Sequence, residues 1–141
     1  NTEDDMAIYL KQKLSKKQLD EEFSDKNTFF YFAYCNKLLV GYLKLNFKNA
    51  QRKAVLKGKA YEIERIYILK AHQGRGLGTH LFNKAIEIGK GKGYKQMWLG
   101  VWEFNHKALE FYEKKGLKAF DSHIFQLGNE NQTDILMQLK F

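Results

Sequence analysis

Between residues 61 and 89 a strand pattern, a glycine-studded turn and a helical stripe follow one another, and this run limits the possible folds more than any other feature. The segment Tyr61–Leu69, YEIERIYIL, alternates as a strand does, with Glu62 and Glu64 on one face and Ile63 and Arg65 on the other. It leads into Gln73-Gly74-Arg75-Gly76-Leu77-Gly78. Leu77, Leu81, Phe82, Ala85, Ile88 and Gly89 then recur at helical spacing. A strand that turns sharply into a helix places an element of α/β architecture at the centre of the chain. The three glycines strip Cβ atoms from the turn, so successive backbone N–H groups face outward at the positive end of a helix. Proteins cradle a pyrophosphate in this way, although a glycine-rich turn that holds no ligand has the same short pattern.

The flanking sequence completes an α/β domain with a mixed sheet. The first 28 residues read as two short helices, with Ser15 and Gln18 as a capping box for the second. Phe29 to Tyr34 and Leu38 to Phe47 read as a hairpin joined at Asn36-Lys37, followed by a basic loop from Lys48 to Lys59. Gly91 and Gly93 stop the central helix, and Gln96 to Val101 is a fourth strand. Asn105 caps a helix through Lys115, whose inner face is Ala108, Leu109, Phe111 and Tyr112, with Gly116 just past its end. Leu117 to Leu127 and Thr133 to Leu139 are two closing strands around a polar turn, Gly128 to Gln132. With 141 residues, no proline and no repeat, residues 1–141 read as a single domain.

Several function classes drop out. The longest aromatic-rich apolar run, Phe29 to Cys35, is too short to cross a bilayer. The polar, acidic opening, Asn1 to Asp5, is unlike a signal peptide, and Cys35 has no partner; a reducing, cytoplasmic setting is expected. Cys35 itself reads as buried filler. His72, His80, His106 and His123 lack metal-ligand spacing, so no metal is expected. The formal charge of +8 is spread along lysines with no nucleic-acid signature beside it, and reads as solvated helix faces. Outward apolar residues of the last two strands could pair in a homodimer. Among phosphate-binding patterns, the dinucleotide fingerprint fails at Thr79 and the P-loop pattern is absent.

The turn has company. YEIERIYIL, QGRGLG, WLGVWEFN and ALEFYEKKGL occur in the order found in the GNAT superfamily of acetyl-CoA-dependent N-acetyltransferases, which the chain resembles from about Phe29 to Phe141. EIERIYIL, WLGVWEFN and GNENQTDILM further resemble the PaiA-type polyamine acetyltransferases. The resemblance implies a GNAT-like acyl-CoA N-acyltransferase fold: a mixed, mostly antiparallel central sheet flanked by helices, splayed between the strands ending near Leu69 and Val101. It implies acetyl-CoA as cofactor. The backbone of Ile66, Tyr67 and Ile68 would hold the pantetheine arm as a strand partner. Gln73, Gly74, Arg75, Gly76, Leu77, Gly78 and Thr79 would grip the pyrophosphate, and Asn105 would touch the arm. The family often carries proline where Lys70 stands, and usually has a strand before its first helices. None is visible from Asn1 onward, so such a strand is expected ahead of residue 1.

For the chemistry, a primary alkylammonium with a pKa of about 10.4 costs roughly 4.6 kcal/mol to neutralise at pH 7. Either Glu64 or a water chain would take that proton, the resemblance placing a glutamate base at Glu64. Tyr112, in the Phe111-Tyr112 pair, matches the general acid that serves the departing thiolate. With an ordinary pKa near 10 it would be only about 2 kcal/mol too weak to donate outright. Glu62, Glu64 and Trp102 would contact the substrate, Glu62 by holding a second ammonium, with Glu130 and Asp134 as further carboxylates for a polyamine. The expected acceptor is a small amine, a polyamine such as spermidine or spermine. A protein N-terminus or lysine, or a silent acetyl-CoA-binding module, stays open.

Overall fold

A computed structural model describes residues 25–53, 55–56 and 58–141. The two helices expected before residue 28 fall outside the described residues. The chain runs β1 (Thr28–Cys35), β2 (Leu38–Phe47), β3 (Tyr61–Ile68), α1 (Leu77–Gly91), β4 (Gln96–Trp102), α2 (His106–Lys114), β5 (Lys118–Leu127) and β6 (Glu130–Lys140). The six strands form one sheet in the order β1-β2-β3-β4-β6-β5. Every pairing is antiparallel except β3 with β4, because α1 carries the chain back across one face before β4 begins.

Local chemistry sets the turns. Asn36 and Lys37 both have positive φ, 50° and 69°, the combination that joins two twisted antiparallel strands with a two-residue loop. Leu127 pairs with Glu130, so the last hairpin turns on Gly128 and Asn129 alone. The strand expected to begin at Thr133 therefore begins three residues earlier. The polar residues Glu130 to Gln132 belong to an edge ladder whose outer side is solvated, and their polarity resembles that of a turn.

β3 departs from simple alternation. Lys44 faces Arg65 and Leu45 faces Ile63, with a register shift between them. Glu64 is thus the extra residue of a β-bulge. A bulge lets two consecutive side chains emerge on the same face, so Arg65 joins Glu64 instead of Ile63. Ile66 and Ile68 consequently turn toward the helical face.

That face holds the core. Leu43, Leu45, Ile63, Met97, Leu99, Val101 and Met137 pack with Leu81, Phe82 and Ala85 of α1 and with Leu109 and Tyr112 of α2. Tyr61 is fully buried and donates its hydroxyl to the Ala85 carbonyl at 2.8 Å. The helix comes so close there that a Cβ at Gly89 would lie 2.2 Å from the Tyr61 ring.

Candidate active site

β3 and β4 pair only at Tyr61–Met97 and Glu62–Trp98. Beyond these two steps they diverge, as the resemblance implied. The opening runs into a cleft of about 570 Å³ between the ends of α1 and α2. One wall is Ile66 and Ile68; the floor is Gln73, Gly74, Gly76, Gly78 and Thr79. Asn105, Lys107, Ala108, Phe111 and Tyr112 form the opposite wall.

The floor is built for an anion. Gly76 is the N-cap of α1 at φ 78°, with no side chain capping it and no acidic residue in the first turn. Gly74 also has positive φ, and a Cβ at either glycine would meet open space. After Gln73, whose N–H reaches the Lys70 carbonyl, the next amide among the described residues to find a backbone acceptor is that of His80, which donates to Gly76 at 3.0 Å. The amides between them belong to a stretch whose Gly74, Gly76, Gly78 and Thr79 line the cleft, at the positive end of the helix dipole. Gly78 keeps the floor low: a Cβ there would sit 3.3 Å from Ile68 Cδ1 and 3.7 Å from Phe111 Cζ. Gln73 fastens the turn to β3 by donating from Nε2 to the Ile68 carbonyl at 3.1 Å. These uncapped donors and missing Cβ atoms fit a diphosphate and its extended arm.

The side chains of three residues expected to hold the cofactor through their backbone lie outside the cleft lining. Tyr67 points to the other face, against Tyr42 at 6.1 Å. Leu77 packs into the core, and Arg75 is exposed and outside the cleft lining. Lys107, Ala108 and Phe111 were missed. Ala108 and Phe111 sit on the apolar stripe of α2, where the same residues serve core and cleft. Asn105 Oδ1 accepts from the Ala108 N–H at 3.1 Å, so its cap fixes where α2 begins and leaves its amide NH₂ toward the cleft. Tyr112 packs against Phe82 and Phe111. Burial pushes its hydroxyl up to about 12.

The opposite face carries charge. Glu62 is fully buried; its carboxylate accepts from Arg52 Nε at 2.5 Å, from the Arg52 main-chain N–H at 2.8 Å and from Asn46 Nδ2 at 3.0 Å. A Glu62 so engaged has no oxygen to offer a second ammonium, which corrects that expectation. Glu64 accepts from Asn46 at 2.8 Å, meets Lys44 Nζ at 2.9 Å and Arg65 Nη2 at 3.0 Å. Burial alone would raise the Glu64 carboxyl, but Lys44, Arg65 and Asn46 outweigh it and hold it at about 2. Burial lowers Lys44, with Glu64 offsetting part of that. Gln51 accepts from Trp98 Nε1 at 2.8 Å and Arg52 lies 4.5 Å over Phe125, so residues 51 and 52 are pinned across this face. Trp102 is half exposed, edge-on to Phe104 at 5.4 Å. Cys35 is exposed on the edge strand β1, not buried. No metal-holding group of His, Cys, Asp and Glu occurs among the described residues.

Comparison with known proteins agrees with this geometry. The model of the Acetyltransferase (GNAT) family matches residues 2–117. The chain belongs to the GNAT family. An uncharacterised N-acetyltransferase of the pepI 3′ region in Lactobacillus delbrueckii subsp. lactis is 41% identical over 98% of this chain and 79% of its own length. The PaiA N-acetyltransferase of Thermoplasma acidophilum, solved with coenzyme A, has a TM-score of 0.71 at 24% identity, over 100% of this chain and 80% of its own. Arabidopsis thaliana Naa50, solved with a bisubstrate analogue, has a TM-score of 0.73 at 19% identity, over 96% and 91%. As a GNAT protein, the chain is an acetyl-CoA-dependent N-acetyltransferase. Among the described residues, no helix is long and apolar enough to cross a membrane.

Proposed function

We propose that this GNAT enzyme acetylates a primary amine of a small molecule, a polyamine such as spermidine or spermine, by direct transfer in a ternary complex. The observation that carries the reading is the uncapped start of α1 opening onto the split between β3 and β4, with Tyr112 on the far wall. The resemblance of EIERIYIL, WLGVWEFN and GNENQTDILM to the PaiA-type polyamine acetyltransferases supports the acceptor class. So does the 32% identity, over 56% of this chain, to a Bos taurus thialysine N-epsilon-acetyltransferase.

Acetyl-CoA brings the activated acyl group. Gly74, Gly76, Gly78 and Thr79 would hold its diphosphate through backbone N–H groups, with Ile66, Ile68 and Asn105 along its arm. Tyr112 keeps its proton at neutral pH. Full transfer from a hydroxyl at about 12 to a thiolate of about 8.5 would cost on the order of 5 kcal/mol, more than an ordinary tyrosine implies. Its role is therefore a hydrogen bond that strengthens as charge develops on sulfur. Glu64 at about 2 lies some eight units below an alkylammonium, a step of about 11 kcal/mol. In this reading it orders Lys44 and Arg65, the amine loses its proton to water in the split, and Trp102 faces the acceptor.

The test is thiol release from acetyl-CoA with spermidine, spermine, and peptides bearing a free N-terminus or lysine. Turnover with the polyamines at least tenfold above the peptides is expected. Peptide preference would move the enzyme to protein substrates, and tight CoA binding without turnover would make it a silent module.

A further inference from the structure

Three carboxylates on the face away from the helices are buried or half-buried, and two are satisfied by protein cations. Glu62 has Arg52, and Glu64 has Lys44 and Arg65. Asp134 on β6 differs. It is 4% exposed, yet only its Oδ1 has a donor, Gln132 Nε2 at 2.7 Å. Its Oδ2 has none among the described residues, although a buried acceptor left unmet costs about 1–3 kcal/mol.

The position of that oxygen is specific. A Cβ built at Gly100 on β4 would lie 3.0 Å from Oδ2. The carboxylate therefore occupies a dent that exists because residue 100 has no side chain, with Leu136 Cδ2 beside it, 3.4 Å from the same point. Trp102 faces Asp134 directly across the β4–β6 ladder, and His123 faces it from β5. His123 Nδ1 lies 2.9 Å from Lys53 Nζ. The dent lies on β4 past the last β3–β4 pair, so β4 is both its floor and one wall of the split. Asp134 stands one strand spacing, about 4.8 Å, beyond that wall.

We propose that Asp134, with Gly100 and Trp102, forms a subsite for a second, non-reacting ammonium of the acceptor. This rests on the reading of the chain as a small-amine acetyltransferase. The nitrogen that attacks must be neutral, so a buried carboxylate serves it poorly. A nitrogen that keeps its charge meets Asp134 Oδ2 by a charge-assisted hydrogen bond and the Trp102 ring by a cation–π contact. The acceptor is thus a diamine or longer polyamine whose nitrogens are separated by a short methylene chain.

The experiment compares spermidine with butylamine, which has one nitrogen, at saturating acetyl-CoA in the full chain. The wild type should favour spermidine at least tenfold in kcat/KM. Asp134→Asn should raise the KM for spermidine about tenfold or more and remove most of that preference, with the KM for acetyl-CoA held within about twofold. Gly100→Ala puts a methyl group 3.0 Å from the present position of Oδ2, displacing a carboxylate that it leaves in the chain, and should act in the same direction should the first variant fold poorly. A folded variant of either kind that keeps the preference overturns the subsite, as does a wild type that uses both amines equally. Thiol release with neither amine, despite acetyl-CoA binding, overturns the small-amine reading and the subsite with it.

Discussion

Tyr112 and Glu64 are both ionisable and both buried, yet their surroundings push them in ways that decide their roles. Tyr112 is packed between Phe82 and Phe111, and its burial keeps it a neutral donor at about 12. Tyr112→Phe should then lower kcat about 100-fold and leave the KM for acetyl-CoA near its wild-type value, measured by thiol release. A kcat within twofold of wild type would reduce Tyr112 to packing. Glu64 sits among cations, and its carboxyl falls from an ordinary 4.5 to about 2. Because the folded value lies below the unfolded one, the carboxylate stabilises the fold above about pH 4.5, and that contribution disappears as pH drops toward 2. The magnitude is on the order of 3 kcal/mol. Urea unfolding between pH 7 and pH 3 should show wild type losing stability that Glu64→Gln does not lose, the variant being the less stable at pH 7. Parallel pH curves would mean that Glu64 titrates normally.

At the scale of elements, α1 does two jobs: its start faces the cleft and its middle closes the core. Gly89 shows how tight the second job is, since an added Cβ would land 2.2 Å from a Tyr61 ring that is itself tied to Ala85. Gly89→Ala gains about 1 kcal/mol of helix propensity but overpacks a ring that cannot swing away, at a typical cost of about 1–3 kcal/mol or more. A net loss of about 1–2 kcal/mol is expected, seen as a lower urea midpoint at unchanged m-value; an equal or higher midpoint would show that the ring yields. α1 and α2 were legible in the sequence because glycines, Asn105 and helical spacing act within a few residues of one another. The β1–β2 hairpin was legible for the same reason, through Asn36 and Lys37. The bulge at Glu64 was not, since YEIERIYIL alternates through it and only the register against β2 exposes the extra residue. The engagement of Glu62 was hidden too, because Arg52 reaches it from a loop ten residues away that reads as plain basic sequence. Gly100 and Asp134 are 34 residues apart in the sequence, and the pairing of β4 with β6 brings Asp134 over the glycine.

For the whole molecule, a net charge of +8 opposes the proposed cationic acceptor until the lysines are placed. Two hollows that share Lys59 lie where β3 and β4 begin: one carries Lys26, Lys48 and Lys92, the other Lys95 and Lys140. Two of these are held by rings, Lys59 4.6 Å over Tyr94 and Lys92 5.3 Å over Phe47. The cleft lies at the other ends of the same strands, seven residues along β3 from Tyr61 to Ile68, or roughly 23 Å at the usual rise. Screening over that separation depends strongly on salt: the Debye length is about 30 Å at 0.01 M and about 10 Å at 0.1 M. At low salt the lysine end repels a polyamine approaching the far end, with anionic acetyl-CoA offsetting part of the field; at physiological salt the local carboxylates dominate. With acetyl-CoA saturating, kcat/KM for spermidine should therefore rise severalfold between 10 and 100 mM salt. The double variant Lys92→Glu, Lys95→Glu takes the net charge from +8 to +4 without touching the cleft, and should flatten that rise by raising the low-salt value. A kcat/KM that falls as salt is added, in wild type and variant alike, would show that attraction at the acceptor face governs encounter at every ionic strength and that the lysine end has no influence on the substrate.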